Sequence, residues 1–220
     1  MKTIRLTLVI AVLAALPGVA RAQYSTFYYQ RATFFEVQPV AAGDIVFLGD
    51  SITNGGEWSE LFGAPNFKNR GISGDISQGV YDRLDAVVGG HPAKIFLMIG
   101  VNDLSRGIPD DTIVGNIGKI IDKVHADSPD TRVYLQSILP VNEDKGMFAS
   151  HTARRADIAP LNARLRAIAA DKGAVYIDLF SSFTEEGTDK LNPALTNDGL
   201  HLLGAGYMLW KKIVEPYVNE

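Results

Sequence analysis

Short apolar runs and stretches with helical periodicity alternate along most of the chain. The apolar runs are 45–49, 94–99, 132–139 and 174–179, with a weak one at 66–70. The helical stretches are 77–89, 111–126, 154–172 and 203–218. Runs that are apolar on both faces are typical of parallel strands buried between helices, and regular alternation indicates βαβ crossovers. The pattern predicts a single α/β domain, a three-layer α/β/α sandwich on about five parallel strands.

A further helix is predicted before the first strand. Residues 24–40 carry aromatic and small residues at helical spacing, among them Tyr28, Ala32 and Phe35. This spacing predicts an amphipathic helix that docks on the domain and is ended by Pro39.

The first 22 residues have the pattern of a secretory signal peptide. Lys2 and Arg5 precede an apolar run from about Leu6 to Leu16, and a small-residue site, Ala20-Arg21-Ala22, follows. The apolar run is too short for a spanning helix. We therefore expect an exported chain of residues 23–220, either periplasmic or secreted.

The charge and the cysteine content of the chain exclude several kinds of binding partner and of covalent attachment. Removing residues 1–22 takes away three cations and no acid, so the formal charge moves from −4 to −7. An acidic chain without a basic stripe is not suited to nucleic acid. The sequence has no cysteine, which excludes disulfides and a lipid-modified N-terminal cysteine. With no second long apolar run, we expect a soluble mature protein, whose oligomeric state the sequence leaves open.

In a parallel α/β sheet, functional residues collect at the carboxyl ends of the strands. The first strand ends in the stretch GDIVFLGDSITNGG, residues 43–56, which places Ser51 at this edge. A serine hydroxyl becomes a nucleophile only with a base within hydrogen-bond reach. Alternatively, Ser51 caps the short helix that follows it.

The loops after the second and third strands offer hydrogen-bond donors. Gly71 leaves room for a backbone N–H to approach a developing oxyanion, and the Asn102 side chain can donate a second hydrogen bond. Both residues are also common in turns.

Four histidines are candidates for the base. His91 and His125 have the surroundings of surface residues, and His151 in loop 140–153 is an alternative. His201 directly precedes the last helical stretch, and Asp198 lies three residues before it, so its carboxylate can reach the imidazole. The competing interpretation is that Asp198 and His201 cap that helix.

Taken together, these segments resemble the SGNH (GDSL) hydrolases. GDS at 49–51, a glycine at 71, GxND at 100–103 and DGLH at 198–201 follow the order of the four sequence blocks of that family. The stretch NRGISGD, followed by RLD at 83–85, is similar to the branch of platelet-activating-factor acetylhydrolase α-subunits and exported bacterial acylhydrolases. The resemblance covers residues 40–217, nearly the whole mature chain.

This resemblance implies a flavodoxin-like fold and ester hydrolysis without a metal or cofactor. Ser51 would be the nucleophile, His201 the base and Asp198 its partner. The oxyanion donors would be the backbone N–H groups of Ser51 and Gly71 and the side chain of Asn102.

The expected substrate is a small-molecule ester with a short acyl group, with O-acetylated carbohydrates as the leading hypothesis. The alternatives are a lysophospholipase or thioesterase for longer acyl chains, and a carbohydrate-binding module that has lost its chemistry. Loop 140–153 and Trp58 are candidates for the leaving-group side. Arg154 and Arg155 either bind a substrate carboxylate or are solvated.

Overall fold

The computed structural model describes residues 24–220, so the predicted signal peptide lies outside the described residues. Five parallel strands form one sheet in the order β2-β1-β3-β4-β5. The strands are β1 Ile45–Gly49, β2 Phe67–Gly71, β3 Lys94–Met98, β4 Arg132–Gln136 and β5 Val175–Ile177. This is the strand order of flavodoxin-like folds, which confirms the predicted fold class.

Helices fill the segments between and around the strands. In chain order they are α1 Thr26–Val37, α2 Ser51–Asn54, α3 Trp58–Phe62, α4 Ser77–Asp82, α5 Asp85–Val88, α6 Val101–Ser105, α7 Asp110–Asp127, α8 Ala149–Thr152, α9 Arg155–Asp171, α10 Phe180–Phe183 and α11 Gly204–Asn219, with a 3₁₀ turn at Glu143–Lys145. The predicted helices at 111–126, 154–172 and 203–218 correspond to α7, α9 and α11.

The direction of each crossover decides which face of the sheet a helix covers. The chain moves one way from β1 to β2 and the opposite way from β2 through β3 and β4 to β5. Because crossovers are right-handed, α3 covers one face, whereas α4, α7 and α9 cover the other. Accordingly, α7 contacts both α4 and α9, and α11 packs on α3.

Buried aromatic side chains join the sheet to the α3–α11 layer. Phe47, Phe96 and Tyr134 are paired in register across β1, β3 and β4, with ring centroids 5.0 and 4.5 Å apart. Trp58 stacks on Phe47 at 3.8 Å and meets Trp210 of α11 edge-on at 4.9 Å. Offset and edge-on aromatic contacts of this kind add to the stabilisation from burial.

The helix predicted over 77–89 is interrupted, because α4 ends at Asp82 and α5 begins at Asp85. At the break, the Arg83 side chain turns inward. Its Nε donates to Asp75 Oδ2 at 2.8 Å and its guanidinium also donates to the Gly49 carbonyl at 3.0 Å. Apolar periodicity contains no information about such an ion pair, so the sequence pattern predicted one continuous helix.

Helix α1 lies against the loop after β2 and against α5. The Tyr28 hydroxyl donates to the Gly79 carbonyl at 2.9 Å, and Phe35 is buried. The guanidinium groups of Arg31, Arg70 and Arg83 lie 4.9, 4.8 and 5.7 Å from the centroid of the Phe35 ring. Cation–π contacts therefore add to the apolar packing of this helix.

Candidate active site

Ser51 is positioned by a tight turn from β1 into α2. A Cβ on Gly49 would lie 2.2 Å from the Met98 carbonyl oxygen and 2.4 Å from Thr53 Oγ1, so only glycine allows this approach. Asp50 caps α2 by accepting the N–H of Ile52 at 3.0 Å. The turn places Ser51 at the carboxyl end of β1, an interior strand that lies between β2 and β3.

Ser51, His201 and Asp198 form one hydrogen-bonded chain. His201 Nε2 is 3.0 Å from Ser51 Oγ, and His201 Nδ1 is 2.8 Å from Asp198 Oδ2. With the proton on Nδ1, the ring donates to the carboxylate and accepts the serine proton at Nε2. Ser51 lies 150 positions before His201 in the sequence, and the fold brings it to the Asp198–His201 pair.

Asp198 is fixed by its own turn. Its Oδ1 accepts the backbone N–H groups of Leu200 and His201 at 2.9 and 2.8 Å, which leaves Oδ2 for the imidazole. Partial burial acts to raise the pKa of Asp198, but the hydrogen bonds from Leu200 and His201 outweigh it. The pKa of Asp198 therefore lies below its usual range, and the residue is a carboxylate at neutral pH.

The 198–201 turn is also tied to loop 140–153. The Asn142 N–H donates to the Gly199 carbonyl at 2.8 Å. Gly199 has φ +85°, and a Cβ there would lie 2.1 Å from the Asn142 carbonyl oxygen. Glycine is required because both the left-handed conformation and the close approach exclude a side chain.

Asn102 reaches the site from the beginning of α6. Gly100 precedes it with φ +131°, in a position where a Cβ would be 2.6 Å from Ile138 Cδ1. The Asn102 amide is buried, and its Nδ2 donates one hydrogen to the Asp75 carbonyl at 2.9 Å. A primary amide carries two N–H donors, so one remains for a substrate oxygen.

The structure does not support Gly71 as an oxyanion donor. The Gly71 N–H already donates to Asn69 Oδ1 at 2.8 Å, and the position of its Cα is fixed by contact with the backbone of Asn54. Sequence spacing identified a glycine in the correct loop, but it contains no information about this side-chain contact.

Gly74, three residues further on, has a backbone N–H that is available for an oxyanion. Within residues 24–220 its N–H makes no hydrogen bond. It is the third residue of a turn closed by Asp75 N–H to Ile72 O at 3.1 Å, and its φ of +77° suits glycine. The next residue, Asp75, holds the Asn102 amide. The sequence feature that could have pointed to Gly74 is the turn-forming stretch Ser-Gly-Asp at 73–75.

Buried carboxylates hold the loops around the site. Asp103 accepts the backbone N–H of Ser77 at 3.0 Å and its hydroxyl at 2.5 Å, which joins the loop after β3 to α4. Asp75 forms a buried ion pair with Arg83. These bonds fix the relative positions of Asn102, Gly74 and Ser51.

The predicted role of Trp58 at the leaving-group side is wrong. Its side chain is only 1% exposed, it packs between Phe47 and Trp210, and its Nε1 donates to the Thr53 carbonyl at 2.9 Å. Trp58 belongs to the core because α3 turns its apolar face toward the sheet.

Arg154 and Arg155 are engaged in ion pairs within the chain. Arg154 contacts Asp157 at 2.5 Å, and Arg155 pairs with Asp189 and, at 3.1 Å, with Glu143. Both guanidinium groups thus pair with acidic side chains of the same chain at the protein surface.

Loop 140–153 reaches the site through Phe148 and His151, and sequence reasoning had not singled out Phe148. The ring of Phe148 meets the His201 ring edge-on with centroids 5.0 Å apart, and His151 Nε2 is 3.0 Å from Asn102 Oδ1. His91 instead lies near Ser128, on a different part of the molecule.

Residues 24–220 contain neither a metal-binding cluster nor a membrane-spanning helix. In this part of the chain, no group of three His, Cys, Asp or Glu side chains converges in a way that could hold a metal ion. None of its helices combines the length and apolar character needed to cross a membrane.

Comparison with known proteins links this geometry to a family. The model of the GDSL-like lipase/acylhydrolase family matches residues 47–209. Platelet-activating factor acetylhydrolase IB subunit alpha1 of Bos taurus is 28% identical over 144 residues, which cover 61% of this chain and 62% of the bovine protein. The chain thus spans less than two thirds of the length of the curated relatives it matches.

Solved structures show the same architecture. A Streptococcus pneumoniae protein described as a platelet activating factor has a TM-score of 0.80 and 32% identity, covering 87% of this chain and 92% of that one. A Bacteroides fragilis protein described as an acylhydrolase has a TM-score of 0.76 and 26% identity, covering 90% and 98% of the two chains.

Proposed function

The chain belongs to the GDSL-like lipase/acylhydrolase family, and on this basis we propose that it is a serine esterase that hydrolyses short-acyl carboxylic esters. The observation that carries the proposal is the continuous hydrogen-bonded chain from Ser51 Oγ through His201 to Asp198. A serine hydroxyl next to an oriented imidazole is the arrangement required for nucleophilic acyl transfer.

In the first half of the reaction, Ser51 Oγ attacks the carbonyl carbon of the ester while its proton passes to His201 Nε2. The resulting tetrahedral intermediate collapses when His201 returns that proton to the leaving alcohol, and the acyl group remains on Ser51. In the second half, His201 takes a proton from water, the hydroxide oxygen attacks the acyl carbon, and Ser51 leaves with the proton. The Asp198 carboxylate stabilises the imidazolium in both halves.

Three donors are available for the oxyanion of the tetrahedral intermediate. They are the backbone N–H of Ser51 at the beginning of α2, the backbone N–H of Gly74 and the second N–H of Asn102. Donors held in place before the reaction stabilise the developing charge without reorganisation, and a single donor is worth roughly 10²–10³ in kcat.

We further propose that the acyl group is short and that the natural substrates are O-acetylated carbohydrates. The acetylhydrolase name of the bovine relative supports a short acyl group. The net charge of −7 that follows removal of the predicted signal peptide suits a polar, neutral substrate outside the cytoplasm. The family chemistry needs neither a metal nor a cofactor.

One observation favours a second candidate, a lysophospholipase or thioesterase for longer acyl chains. Met147, Phe148 and Leu203 are large apolar side chains that remain exposed. Phe148 contacts the His201 ring, and Leu203 follows His201 by two positions. An exposed apolar rim of this kind can hold an acyl chain.

Hydrolysis of p-nitrophenyl esters tests the proposal. We expect Ser51→Ala to lose at least about 10³-fold in kcat on the acetate ester because it removes the hydroxyl that is hydrogen-bonded to His201 Nε2. Ser59→Ala, an exposed serine on α3, is the matched control and should behave like the wild type. Labelling by a fluorophosphonate probe should likewise disappear in Ser51→Ala only. Retention of most hydrolysis by Ser51→Ala would exclude Ser51 as the nucleophile.

A series of acyl esters from acetate to palmitate separates the two candidates. If short-acyl esters are the substrates, kcat/KM should fall steadily beyond the shortest chains. A maximum at long chains would support the lysophospholipase or thioesterase instead.

A further inference from the structure

His151 lies beside the proposed oxyanion donor without being part of the Ser51–His201–Asp198 chain. It is in α8, and its Nε2 is 3.0 Å from Asn102 Oδ1. An amide oxygen can only accept a hydrogen bond, so His151 Nε2 must carry the hydrogen. His151 is therefore a donor to Asn102.

The orientation of the Asn102 amide follows from the groups that contact its nitrogen and its oxygen. Its Nδ2 donates to the Asp75 carbonyl, and its Oδ1 accepts from His151. In a rotated amide, Oδ1 would face the Asp75 carbonyl oxygen, and this contact between two acceptors would be repulsive. The Asp75 carbonyl therefore fixes the orientation, and Oδ1 faces His151. With both bonds made, the second hydrogen on Nδ2 has a fixed direction.

The backbone at Phe148 holds His151 in position. Phe148 has φ +51° and ψ +45°, a left-handed conformation that is costly for a bulky residue. Its carbonyl accepts the N–H groups of His151 and Thr152 at 2.8 and 3.0 Å, which begins α8. Its ring meets both His151, at 5.9 Å between centroids, and His201, at 5.0 Å. Strain of this kind persists only where the surroundings enforce it.

We propose that His151 is a positioning residue that fixes and polarises the Asn102 amide so that its free N–H points to the substrate oxyanion. This inference rests on the proposed esterase function. A hydrogen bond to Oδ1 draws electron density away from Nδ2, which makes the remaining N–H a stronger donor as negative charge develops.

The surroundings of His151 suit a neutral ring in this role. Burial, followed by the charges of His201 and Arg106, lowers the pKa of His151. In the neutral ring, Nε2 carries the hydrogen for Asn102 and Nδ1 accepts, with Ser150 Oγ 3.4 Å away. The hydrogen bond to Asn102 therefore does not depend on a positive charge.

A double-mutant cycle on p-nitrophenyl acetate hydrolysis tests the inference. We expect His151→Ala to lower kcat about tenfold, the size of one hydrogen bond, with KM changed less than about twofold. Asn102→Ala should lower kcat roughly 10²–10³-fold. If His151 acts through Asn102, the double variant should lose no more activity than Asn102→Ala alone.

Conservative variants and a control complete the experiment. His151→Gln keeps an N–H donor and should recover part of the lost kcat, whereas His151→Phe keeps a ring without a donor and should not. His125→Ala, on α7, is the matched control and should retain full activity. Melting temperatures identify variants that fail to fold. If His151→Ala is one of them, the difference in kcat between His151→Gln and His151→Phe tests the inference.

Three results would overturn the inference: unchanged kcat in His151→Ala, a rise in KM alone, or losses that multiply in the double variant. They are distinguishable from failure of the esterase proposal. That proposal fails if Ser51→Ala remains active, whereas an inactive Ser51→Ala together with multiplying losses refutes only the role of His151.

Discussion

At the scale of single residues, existing hydrogen bonds decide which groups are free for a substrate. Gly71 and Gly74 lie three residues apart in one loop, yet the first N–H is used by Asn69 and the second makes no hydrogen bond within the described chain. The same reasoning applies to Asn102, which uses one N–H and its oxygen for the protein and keeps one N–H for chemistry.

Asp50, directly before Ser51, has a buried carboxyl group that caps α2. It is fully buried, and its carboxylate accepts the N–H of Ile52. Burial raises the pKa of Asp50 to about 7, and the nearby Asp75 and Asp103 add to the rise, while the Ile52 hydrogen bond opposes it. Asp50 caps α2, but above its raised pKa the carboxylate is charged and buried, which lowers the stability of the folded protein.

Replacing Asp50 by Asn should change the pH dependence of stability. The raised pKa means that the folded protein holds a proton on Asp50 which the unfolded chain releases near pH 4, so this contribution is complete below about pH 4 and is lost as pH rises through about 7. Asparagine keeps the acceptor for Ile52 and never ionises. Asp50→Asn should therefore become more stable than wild type with rising pH, by on the order of a few kcal/mol at pH 8.

Urea unfolding followed by circular dichroism at pH 5 to 8.5 measures this difference. Asp171→Asn, at the exposed end of α9, is the control, and its difference from wild type should stay constant over that range. An Asp50→Asn difference that is equally flat would mean that Asp50 is not protonated in the folded protein.

At the scale of elements, the sheet edge is assembled by turns and by one buried ion pair. Arg83 connects the break between α4 and α5 to Asp75 in the loop after β2 and to the carbonyl of Gly49 at the end of β1. The side chains of Arg83 and Asp75 are almost completely inaccessible. Because Asp75 in turn holds Asn102, this ion pair links the ends of three strands.

Arg83→Met should destabilise the fold by about 3–5 kcal/mol because it leaves the Asp75 carboxylate buried without its partner. Arg154→Met removes an exposed ion pair with Asp157 and should cost about 0–1 kcal/mol. Urea unfolding at pH 7 measures both values. Equal, small losses in the two variants would show that the Arg83–Asp75 pair contributes no more than a surface pair.

At the scale of the whole molecule, the expected environment of the enzyme depends on its N-terminal segment. We propose that residues 1–22 direct export and are removed after Ala22, because the basic start, the apolar run and the small-residue site occur in that order. Because the sequence has no cysteine, the stability of residues 23–220 comes from the core rather than from disulfides.

Expression of the full chain in a bacterium tests this expectation. The exported fraction should contain a protein whose N-terminal residue is Gln23. Leu13→Arg interrupts the apolar run and should retain the chain in the cytoplasm, whereas Thr3→Lys, in the basic start, should leave export unchanged. Export of Leu13→Arg with an intact N-terminus would contradict the signal peptide.

The alternation of strands and helices, and the segments that carry chemistry, could be predicted from the amino-acid pattern. The strands β1, β3 and β4 gave apolar runs because burial on both faces leaves a continuous apolar signal, whereas β2 contains Lys68, Asn69 and Arg70 and gave a weak one. Gly-Asp-Ser and Gly-Val-Asn-Asp after strands, and Asp-Gly-Leu-His before the last helix, indicated which loops matter. Asp198 and His201 could be paired in advance because they lie one turn apart.

The folded structure was needed to establish which atoms within those loops are available. The bond between Gly71 and Asn69, the burial of Trp58 against Phe47 and the contact between His151 and Asn102 all join side chains whose relative positions depend on packing. Apolar periodicity reports which residues are buried but not which polar atoms meet. The choice of Gly74 over Gly71, and the place of His151 beside the oxyanion donor, therefore required the folded chain.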